Sequence, residues 1–358
     1  MRIFYASDTT PNPFLGFRSN IWRNNILLPM VDLGHQVVEF DYDLAETFQK
    51  LDDLQPAIKA FIDVNRPKVT VALLDQVKAA HRKKPVDLFF SYFFDSCVLP
   101  EAIDEIRAMG IVTVNWYCNG LNNLRMVSEI SPHYDWCLVP EKSCLKDYEE
   151  MGARPIYCQE AANPNFYKPY DVPLEYSVTF IGQAYGKRPD VARQIIDSGI
   201  DLKIWGQRWD EYAAQGVVPA DAIGAPLADI ELVKMFSRSR INLGFSEVWQ
   251  PVETSERVLQ VRLRDFEVPI SGGFYMVEQM EELEEFFRIG EEVVCYSDRF
   301  DLIDKINYYL SHEEDRERIR KAGYERCLRD HTWQKRLDSA FKVMGLPGKP
   351  HSLFRSLE

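Results

Sequence analysis

The stretch 176-YSVTFIGQAYGKRPDVARQIIDSGIDLKIWG-206 contains the pattern that decides the fold. Its first six residues form an apolar run that predicts a buried strand, which ends at Gly182. Residues 189–198 predict a helix, and residues 202–205 predict a second strand, which ends at Gly206. Consecutive strands joined by a helix pair in parallel, because the crossover returns the chain to the same edge of the sheet. The stretch therefore predicts one βαβ unit.

The same alternation runs along most of the chain. Further apolar runs predict strands at 2–6, 37–40, 86–92, 111–116, 136–139, 155–158, 241–245, 274–277 and 293–296. Helical patterns predict helices at 19–33, 44–64, 68–82, 100–109, 141–151, 230–237, 281–287, 302–311, 314–330 and about 332–343. We therefore predict an α/β protein with two Rossmann-like, doubly wound domains facing a cleft.

One segment, 161-AANPNFYKPYDVP-173, interrupts this alternation with prolines and asparagines and is typical of a linker. The chain of 358 residues is long enough for two domains. We expect an N-terminal domain over residues 1–165 and a C-terminal domain over residues 166–331. The helix and tail over 332–358 are expected to pack back on the N-terminal domain.

The composition excludes several classes of partner. A net charge of −13 and a pI of about 5.1 disfavour broad binding to nucleic acid or to anionic membranes. The seven cysteines include no C-x-x-C pair, which indicates neither a disulfide framework nor a zinc site. No apolar run approaches the roughly 20 residues of a spanning helix. We expect no nucleic-acid partner, no transmembrane segment and a cytoplasmic location, with peripheral membrane attachment left open.

A basic loop follows the first strand of the expected C-terminal domain. Its sequence, 182-GQAYGKRPD-190, combines glycines that permit close backbone approach with Lys187 and Arg188 just before a helix, which suits a phosphate. The alternative is an ordinary loop with solvated charges. A dinucleotide fingerprint is missing, because the first strand of the chain is followed by Ser-Asp-Thr-Thr-Pro, and no P-loop pattern is present.

A second charged stretch is 261-VRLRDFEVPISGGF-274. Residues 266–271 are predicted to form a single helical turn with a proline in its first turn, closed by Gly272 and Gly273. Arg262 and Arg264 would face an anion at the start of this turn, and Glu267 would accept hydrogen bonds from a ribose diol. The alternative is a local ion pair between Arg264 and Glu267, which contributes only about 0.3 kcal/mol on a surface.

The order of these motifs resembles a known family. The pattern R-x-R-D-F-E-V-P-x-S-G-G-F, followed by 278-EQMEELEEFF-287 and G-E-E-V-V-C-Y-S-D, is similar to the C-terminal domain of group 1 glycosyltransferases, and most similar to the spore-maturation-protein-like branch. The segments 158-CQEAANPNFYKP-169, 176-YSVTFIGQAYGKRPD-190 and 323-GYERCLRDHTWQKR-336 resemble the same family. The resemblance covers about the C-terminal 200 residues, and the N-terminal half matches only in layout.

This resemblance implies the GT-B architecture and a hexosyltransferase whose donor is a UDP- or dTDP-sugar, with no prosthetic group. The donor would be held mainly by the C-terminal domain, and an acceptor of unknown chemistry by the other. Carried over to this sequence, Glu267 matches the glutamate that holds the ribose. Arg262 and Arg264 match the basic positions before it, and Lys187 or Arg188 matches the basic position of the phosphate loop. Gly182, Gly206, Gly272 and Gly273 are expected at the same nucleotide site.

One position departs from the family pattern. Related retaining enzymes often carry a second glutamate eight positions before the first, facing the donor sugar, and Leu259 stands there in this chain. Glu253 and Glu256 lie nearby, but their spacing does not allow a clean substitution. The stereochemical course of the reaction therefore stays open.

The expected chemistry needs positive charge more than it needs a metal. Lys187, Arg188, Arg262 and Arg264 would stabilise the charge that builds on the leaving oxygen of the nucleoside diphosphate. The D-x-D motif 41-DYD-43, which binds metals in other transferases, is expected here to cap a loop.

An orienting group or base is expected from the first domain, at the ends of its strands. Its candidates are Asp8, Asp95 and Asn119, although each also suits a turn or cap, and His133 is expected to be packed or solvated. Two rival functions remain at this stage: a sugar-nucleotide epimerase on the same architecture, and a non-catalytic protein that binds nucleotide sugars.

Overall fold

The computed structural model describes residues 1–8, 21–51, 53–118, 120–248 and 257–347. Their contacts divide the chain into two compact units. Unit 1 comprises the described residues up to Gln159 and those from Trp333 onward, and unit 2 comprises those from Glu160 to Thr332. The division therefore lies at 159 and 332, where the sequence predicted 165 and 331. None of the described helices is long and apolar enough to cross a bilayer.

Within its described residues, unit 1 is built on a six-stranded sheet in the order β2-β1-β3-β4-β5-β6. All of its pairs are parallel, with Phe4 opposite Phe89 and Phe90 opposite Val114. The strands are β1 (Arg2–Ala6), β2 (Gln36–Glu39), β3 (Leu88–Ser91), β4 (Val112–Trp116), β5 (Trp136–Val139) and β6 (Pro155–Tyr157). Because β2 and β3 lie on opposite sides of β1, the strand order reverses there, as in a doubly wound sheet.

The helices of unit 1 flank this sheet. They are α1 (Leu28–Asp32), preceded by a π-helical turn (Arg23–Leu27), α2 (Ala45–Gln49), α3 (Pro56–Lys83), α4 (Pro100–Ala108), α5 (Leu145–Glu150) and α12 (Trp333–Val343), with 3-10 turns at Leu121–Met126, Ser131–His133 and Lys142–Cys144. The helix α12 packs within unit 1, where the Trp333 ring meets the Trp116 ring edge-on at 5.1 Å.

One helix prediction in unit 1 is wrong. The sequence predicted separate helices over 44–64 and 68–82, whereas α3 runs unbroken from Pro56 through Pro67. Proline suits the first turn at position 56, but in a helix interior it costs about 3 kcal/mol. The buried face of α3, which includes Val69, Leu73 and Val77, outweighs that cost because each buried aliphatic side chain contributes about 1.5–3 kcal/mol.

Unit 2 has the same arrangement on a five-stranded parallel sheet in the order β11-β10-β9-β7-β8, counted over the described part of the unit. Its strands are β7 (Tyr176–Ile181), β8 (Leu202–Trp205), β9 (Ser239–Gly244), β10 (Tyr275–Glu278) and β11 (Val294–Tyr296). Its helices are α6 (Arg188–Asp197), α7 (Trp209–Ala214), α8 (Asp229–Arg238), α9 (Leu263–Ile270), α10 (Arg299–Ser311) and α11 (Glu313–Asp330). Short 3-10 turns lie at Ala220–Ala222 and Glu281–Glu285. The α/β class with two doubly wound parallel sheets is thus confirmed.

The sheet of unit 2 reverses its strand order at β7, whose neighbours are β8 and β9. Apolar side chains from these strands, among them Val178, Ile204 and Leu243, fill the core. Ligands of open α/β sheets bind outside the carboxyl ends of the strands at such a reversal point. The loops after β7 and β9 are therefore where a site is expected in unit 2.

Candidate functional site

The helix α9 contains most of the second charged stretch, and it begins earlier than predicted. It spans Leu263–Ile270, so the expected single turn over 266–271 is wrong, and Pro269 lies near its end rather than in its first turn. The cause is Asp265, whose carboxylate accepts the Arg262 N–H at 2.7 Å while its own N–H donates to the Arg262 carbonyl at 2.9 Å. This reciprocal pair closes the start of the helix, as a capping box does.

The glycine pair ends α9 as predicted. Gly272 has a φ of +72°, and its N–H donates to the Pro269 carbonyl at 2.9 Å. The Gly273 N–H donates to the Val268 carbonyl at 3.0 Å, which completes a Schellman motif. A Cβ at position 272 would lie 3.0 Å from the Pro169 ring, so the motif also requires a small residue there. That these glycines approach a nucleotide stays a prediction.

The start of α9 does not face an open anion site. Besides the Asp265 carboxylate at the Arg262 N–H, the carboxyl group of Glu160 accepts the Leu263 N–H. Burial raises the Glu160 pKa to about 8, although the neighbouring Arg262 opposes the rise. Burial likewise raises the Asp265 pKa to about 6, against a 2.6 Å hydrogen bond from the Tyr275 hydroxyl. Sequence reasoning missed Glu160, because it is remote in the chain from the helix that it caps.

Arg264 and Glu267 form the local ion pair that the sequence left as the alternative. The Arg264 Nη1 atom lies 2.6 Å from Glu267 Oε2, and the guanidinium rests 5.1 Å from the centre of the Phe236 ring. Only 3% of the Glu267 side chain is exposed, so this pair is not the solvated surface pair of the weak alternative. The contact between Glu267 and a ribose remains a prediction.

The first arginine of the stretch, Arg262, contacts the loop that follows β7. Its Nη2 atom donates to the Tyr185 hydroxyl at 3.2 Å and to the main-chain carbonyl of Glu247 at 3.0 Å. Arg188 at the start of α6 donates to the same carbonyl at 3.4 Å, and its guanidinium stacks on the Tyr185 ring at 3.7 Å. We call Tyr185, Arg188 and Arg262 the basic cluster. It lies at the carboxyl ends of β7 and β9, the reversal point of the sheet.

The two guanidinium groups of the basic cluster make no direct bond to a carboxylate among the described residues, although the carboxyl groups of Glu160 and Asp265 lie near Arg262. Within the described parts of the chain, neither guanidinium group forms an ion pair with a carboxylate, and both donate only to carbonyl or hydroxyl oxygens. Arg188 is only 8% exposed, and its burial, together with the nearby Arg262, lowers its pKa to about 10. A buried cation without a counterion is costly, so it indicates a site for an anionic ligand.

The other basic and glycine positions are arranged differently. Lys187 precedes α6 and is exposed, and Gly186 before it has a φ of +56°. A Cβ on Gly206 would lie 2.0 Å from the Gly182 carbonyl oxygen. The need for glycine at position 206 therefore comes from the crossing of two loops, and a role of Gly182 or Gly206 in ligand binding stays a prediction.

The acidic candidates of unit 1 have structural contacts. Asp95 accepts the backbone N–H groups of Glu129 at 3.1 Å and Ile130 at 2.9 Å, and burial raises its pKa to about 6 against these bonds. Asp8 follows β1 and has partners of its own. His133 is partly exposed and lies 2.8 Å from Asp104.

The remaining sequence candidates fall into two groups. Asp43 in the D-x-D motif accepts the Ala45 N–H at 2.9 Å at the start of α2, as a loop cap does. The described residues contain no group of three or more side chains that could hold a metal ion. Asn119, Glu253 and Glu256 lie outside the described residues.

Comparison with known proteins supports this account of the fold. The model of a family described as "Glycosyl transferase-like" matches residues 188–342, which include α6, α9 and the two arginines of the basic cluster, Arg188 and Arg262. No curated protein sequence matches the chain. The match to the family model covers less than half of the chain.

Solved structures match over nearly the whole length. Sucrose-phosphate synthase from Thermosynechococcus elongatus is 11% identical, with a TM-score of 0.64, over 96% of this chain and 98% of its own. Anabaena HepE in complex with UDP and glucose is 10% identical, with a TM-score of 0.62, over 96% and 99%. A putative UDP-N-acetylglucosamine 2-epimerase from Listeria monocytogenes is 11% identical, with a TM-score of 0.54, over 99% and 100%. At these identities the likeness shows the GT-B fold.

Proposed function

We propose that the chain is a glycosyltransferase that moves a sugar from a nucleoside-diphosphate sugar, UDP- or dTDP-linked, to an acceptor hydroxyl. The observation that carries the proposal is the pair of guanidinium groups of Arg188 and Arg262, which converge without a carboxylate partner among the described residues. The family match over residues 188–342 and the UDP and glucose bound by Anabaena HepE support the same assignment.

Arg188 and Arg262 bind the diphosphate in this proposal. Their hydrogen bonds to neutral oxygens are exchanged for charge-assisted bonds to phosphate, which are shorter and about twice as strong. Lys187 and the N-terminal N–H groups of α6 add positive charge at the same place. Because the start of α9 is already capped by protein carboxyl groups, α6 is the helix that we assign to the phosphate.

Arg264 and Glu267 serve the ribose. Glu267 is held in one orientation by the 2.6 Å contact with Arg264, and its carboxylate accepts hydrogen bonds from the two ribose hydroxyls. We retain Arg264 as a positioning residue for Glu267 rather than as a direct ligand of the phosphate. The roles of Gly182, Gly206, Gly272 and Gly273 are to keep these loops and α9 close together.

The reaction breaks the bond between the anomeric carbon of the sugar and the diphosphate oxygen, and the electron pair stays on that oxygen. Arg188 and Arg262 stabilise the developing charge, as preorganised donors do in other transfer reactions, and we propose that no metal is needed. The acceptor oxygen bonds to the anomeric carbon, and its proton passes to the departing diphosphate or to solvent. In unit 1 we retain Asp8, which follows β1 at the strand-order reversal, and Asp95, which follows β3, as the candidates for orienting the acceptor.

A sugar-nucleotide epimerase is the second candidate, because the putative epimerase from Listeria monocytogenes superposes over its whole length. The test incubates the protein with UDP- and dTDP-sugars, with and without a panel of glycan, lipid and small-molecule acceptors, and follows nucleoside diphosphate release and donor isomerisation. Acceptor-dependent release supports the transferase, and isomerisation without an acceptor supports the epimerase. If the protein binds these sugars but turns none of them over, it is a binding protein.

A further inference from the structure

The side chain of Glu247 belongs to a second charged group, separate from the basic cluster that surrounds its carbonyl. Its carboxylate oxygen Oε2 accepts hydrogen bonds from Arg257 Nε at 3.1 Å and Nη2 at 3.0 Å. The same Arg257 Nη2 atom donates to Glu278 Oε1 at 2.6 Å. One arginine thus joins two carboxylates, which leaves this group with a net charge of about −1.

Both carboxylates lie at the carboxyl ends of strands in the sheet of unit 2, which is where open α/β sheets bind ligands. Glu278 is the last residue of β10. Glu247 follows the end of β9, which is the strand paired with β10. They are mostly buried, with 18% of the Glu247 side chain and 13% of the Glu278 side chain exposed. The carbonyl and carboxylate oxygens of Glu247 belong to one residue, so they lie at most roughly 7 Å apart. The carboxylate is therefore a short distance from the guanidinium groups of the basic cluster.

One oxygen of Glu247 remains available. Over the described residues, Arg257 contacts only Oε2, and no hydrogen bond involves Oε1. The loop before α6 comes close to this atom, since a Cβ on Gly186 would lie only 3.2 Å from it, and the glycine keeps that position clear of a side chain. Arg257 therefore fixes the carboxylate through Oε2, and among the described residues Oε1 keeps its capacity to accept a hydrogen bond from a ligand.

Leu259, the residue that departs from the family pattern, lies opposite Glu247. The two residues form an antiparallel bridge, flanked by a 2.9 Å hydrogen bond from the Val248 N–H to the Val258 carbonyl. Directly opposed residues in such a bridge project to the same face. The side chains of Leu259 and Glu247 therefore lie on the same face of the bridge. Leu259 has no polar side-chain atom there, but Glu247 supplies a carboxylate.

We infer that Glu247 binds the donor sugar by accepting hydrogen bonds from its hydroxyl groups. Arg257 and Glu278 are the positioning residues. The inference rests on the proposed function, because it needs the diphosphate at the basic cluster to place the sugar beside Glu247. A carboxylate accepts hydroxyl donors at short distances and strongly. The negative charge of the group also selects neutral hexoses over sugars that carry a carboxylate, by like-charge repulsion.

The test measures the affinities of UDP, UDP-glucose, UDP-galactose, UDP-N-acetylglucosamine and UDP-glucuronic acid by calorimetry. The variants are Glu247→Gln, and Glu325→Gln as a matched control on the exposed face of α11. Glu247→Gln keeps the main-chain carbonyl, so we expect UDP affinity within about twofold of the wild type. We expect the best neutral UDP-sugar to lose roughly 10-fold or more, as when a hydrogen bond to a charged group is removed. We also expect discrimination against UDP-glucuronic acid to shrink, and the control to match the wild type.

The two proposals fail in different ways. If the wild type binds neither UDP nor any UDP-sugar, and binds neither dTDP nor dTDP-glucose in the same assay, the proposed function and this inference are both overturned. If the wild type binds them, and Glu247→Gln binds the best UDP-sugar as tightly as the wild type, only the sugar-binding role is overturned. Equal losses of UDP and UDP-sugar affinity also overturn it, because the side chain then serves the basic cluster. Should Glu247→Gln fail to fold, Glu247→Asp retains the charge but withdraws the oxygen, and the same two comparisons decide.

Discussion

The buried Glu160 makes the stability of the protein depend on pH in a way that one substitution removes. Burial raises its pKa from an ordinary 4.5 to about 8. The folded state therefore holds the proton more tightly than the unfolded state. The stabilising effect of this proton is complete below about pH 4.5 and is lost as the pH rises to about 8. Glu160→Gln keeps the size and the acceptor for the Leu263 N–H, but has no proton to lose.

The magnitude follows from the two pKa values. Between them the unfolded state binds about one proton fewer than the folded state, so the free energy of unfolding falls by about 1.4 kcal/mol per pH unit. Between pH 6 and pH 8 this amounts to about 2 kcal/mol, after allowing for partial ionisation near pH 8. Asp265, with a pKa of about 6, ionises partly within this window, but it is present in both proteins. The six histidines of the chain are the same in both proteins, so the difference between variant and wild type isolates Glu160.

The assay is urea unfolding of wild type, Glu160→Gln and the surface control Glu325→Gln at pH 6, 7 and 8, followed by circular dichroism and by tryptophan fluorescence. We expect Glu160→Gln to gain about 2 kcal/mol relative to wild type between pH 6 and pH 8, and the control to gain nothing. A difference that stays constant across these pH values would refute the reasoning, because Glu160 would then have an ordinary pKa in the folded state.

Three further outcomes are expected. Gly272→Ala should lower the melting temperature more than Gly290→Ala, because both positions have positive φ but only the Cβ at 272 meets Pro169; equal losses would show that the clash relaxes freely. Glu267→Gln should weaken UDP binding roughly 10-fold but leave pyrophosphate binding unchanged, since pyrophosphate lacks the ribose; a parallel loss for both would reject the ribose role. Turnover should be the same with and without EDTA, because the guanidinium groups supply the charge, and a loss restored by added Mg²⁺ would contradict metal independence.

The sequence predicted the fold well because strong local patterns agree with the tertiary structure. The apolar runs that became β1, β7 and β8 are each followed by helical or turn signals, and their parallel pairing follows from the crossovers. The continuous helix α3 was missed because Pro67 is a local stop signal, and only burial against the rest of unit 1 overrides it. Local pattern does not contain that burial energy.

The sequence indicated which residues belong to the candidate site, but it did not indicate which of them contact one another. Arg188 and Arg262 were both expected at the phosphate, and the structure does bring them together through the Glu247 carbonyl. Arg264 was expected beside them, and it pairs with Glu267 instead. Glu160 and Glu247 were not found at all, because carboxylates become informative only when long-range folding buries them or fixes them against an arginine.

The central claim, that Arg188 and Arg262 form the diphosphate site, is tested most directly by the UDP affinity of Arg262→Gln. The matched control is Arg193→Gln, an exposed arginine on α6 whose partner is Asp197. We expect Arg262→Gln to weaken UDP binding by roughly 10- to 100-fold, as for a lost charge-assisted hydrogen bond, and Arg193→Gln to bind as the wild type does. UDP binding by folded Arg262→Gln with wild-type affinity would contradict the claim.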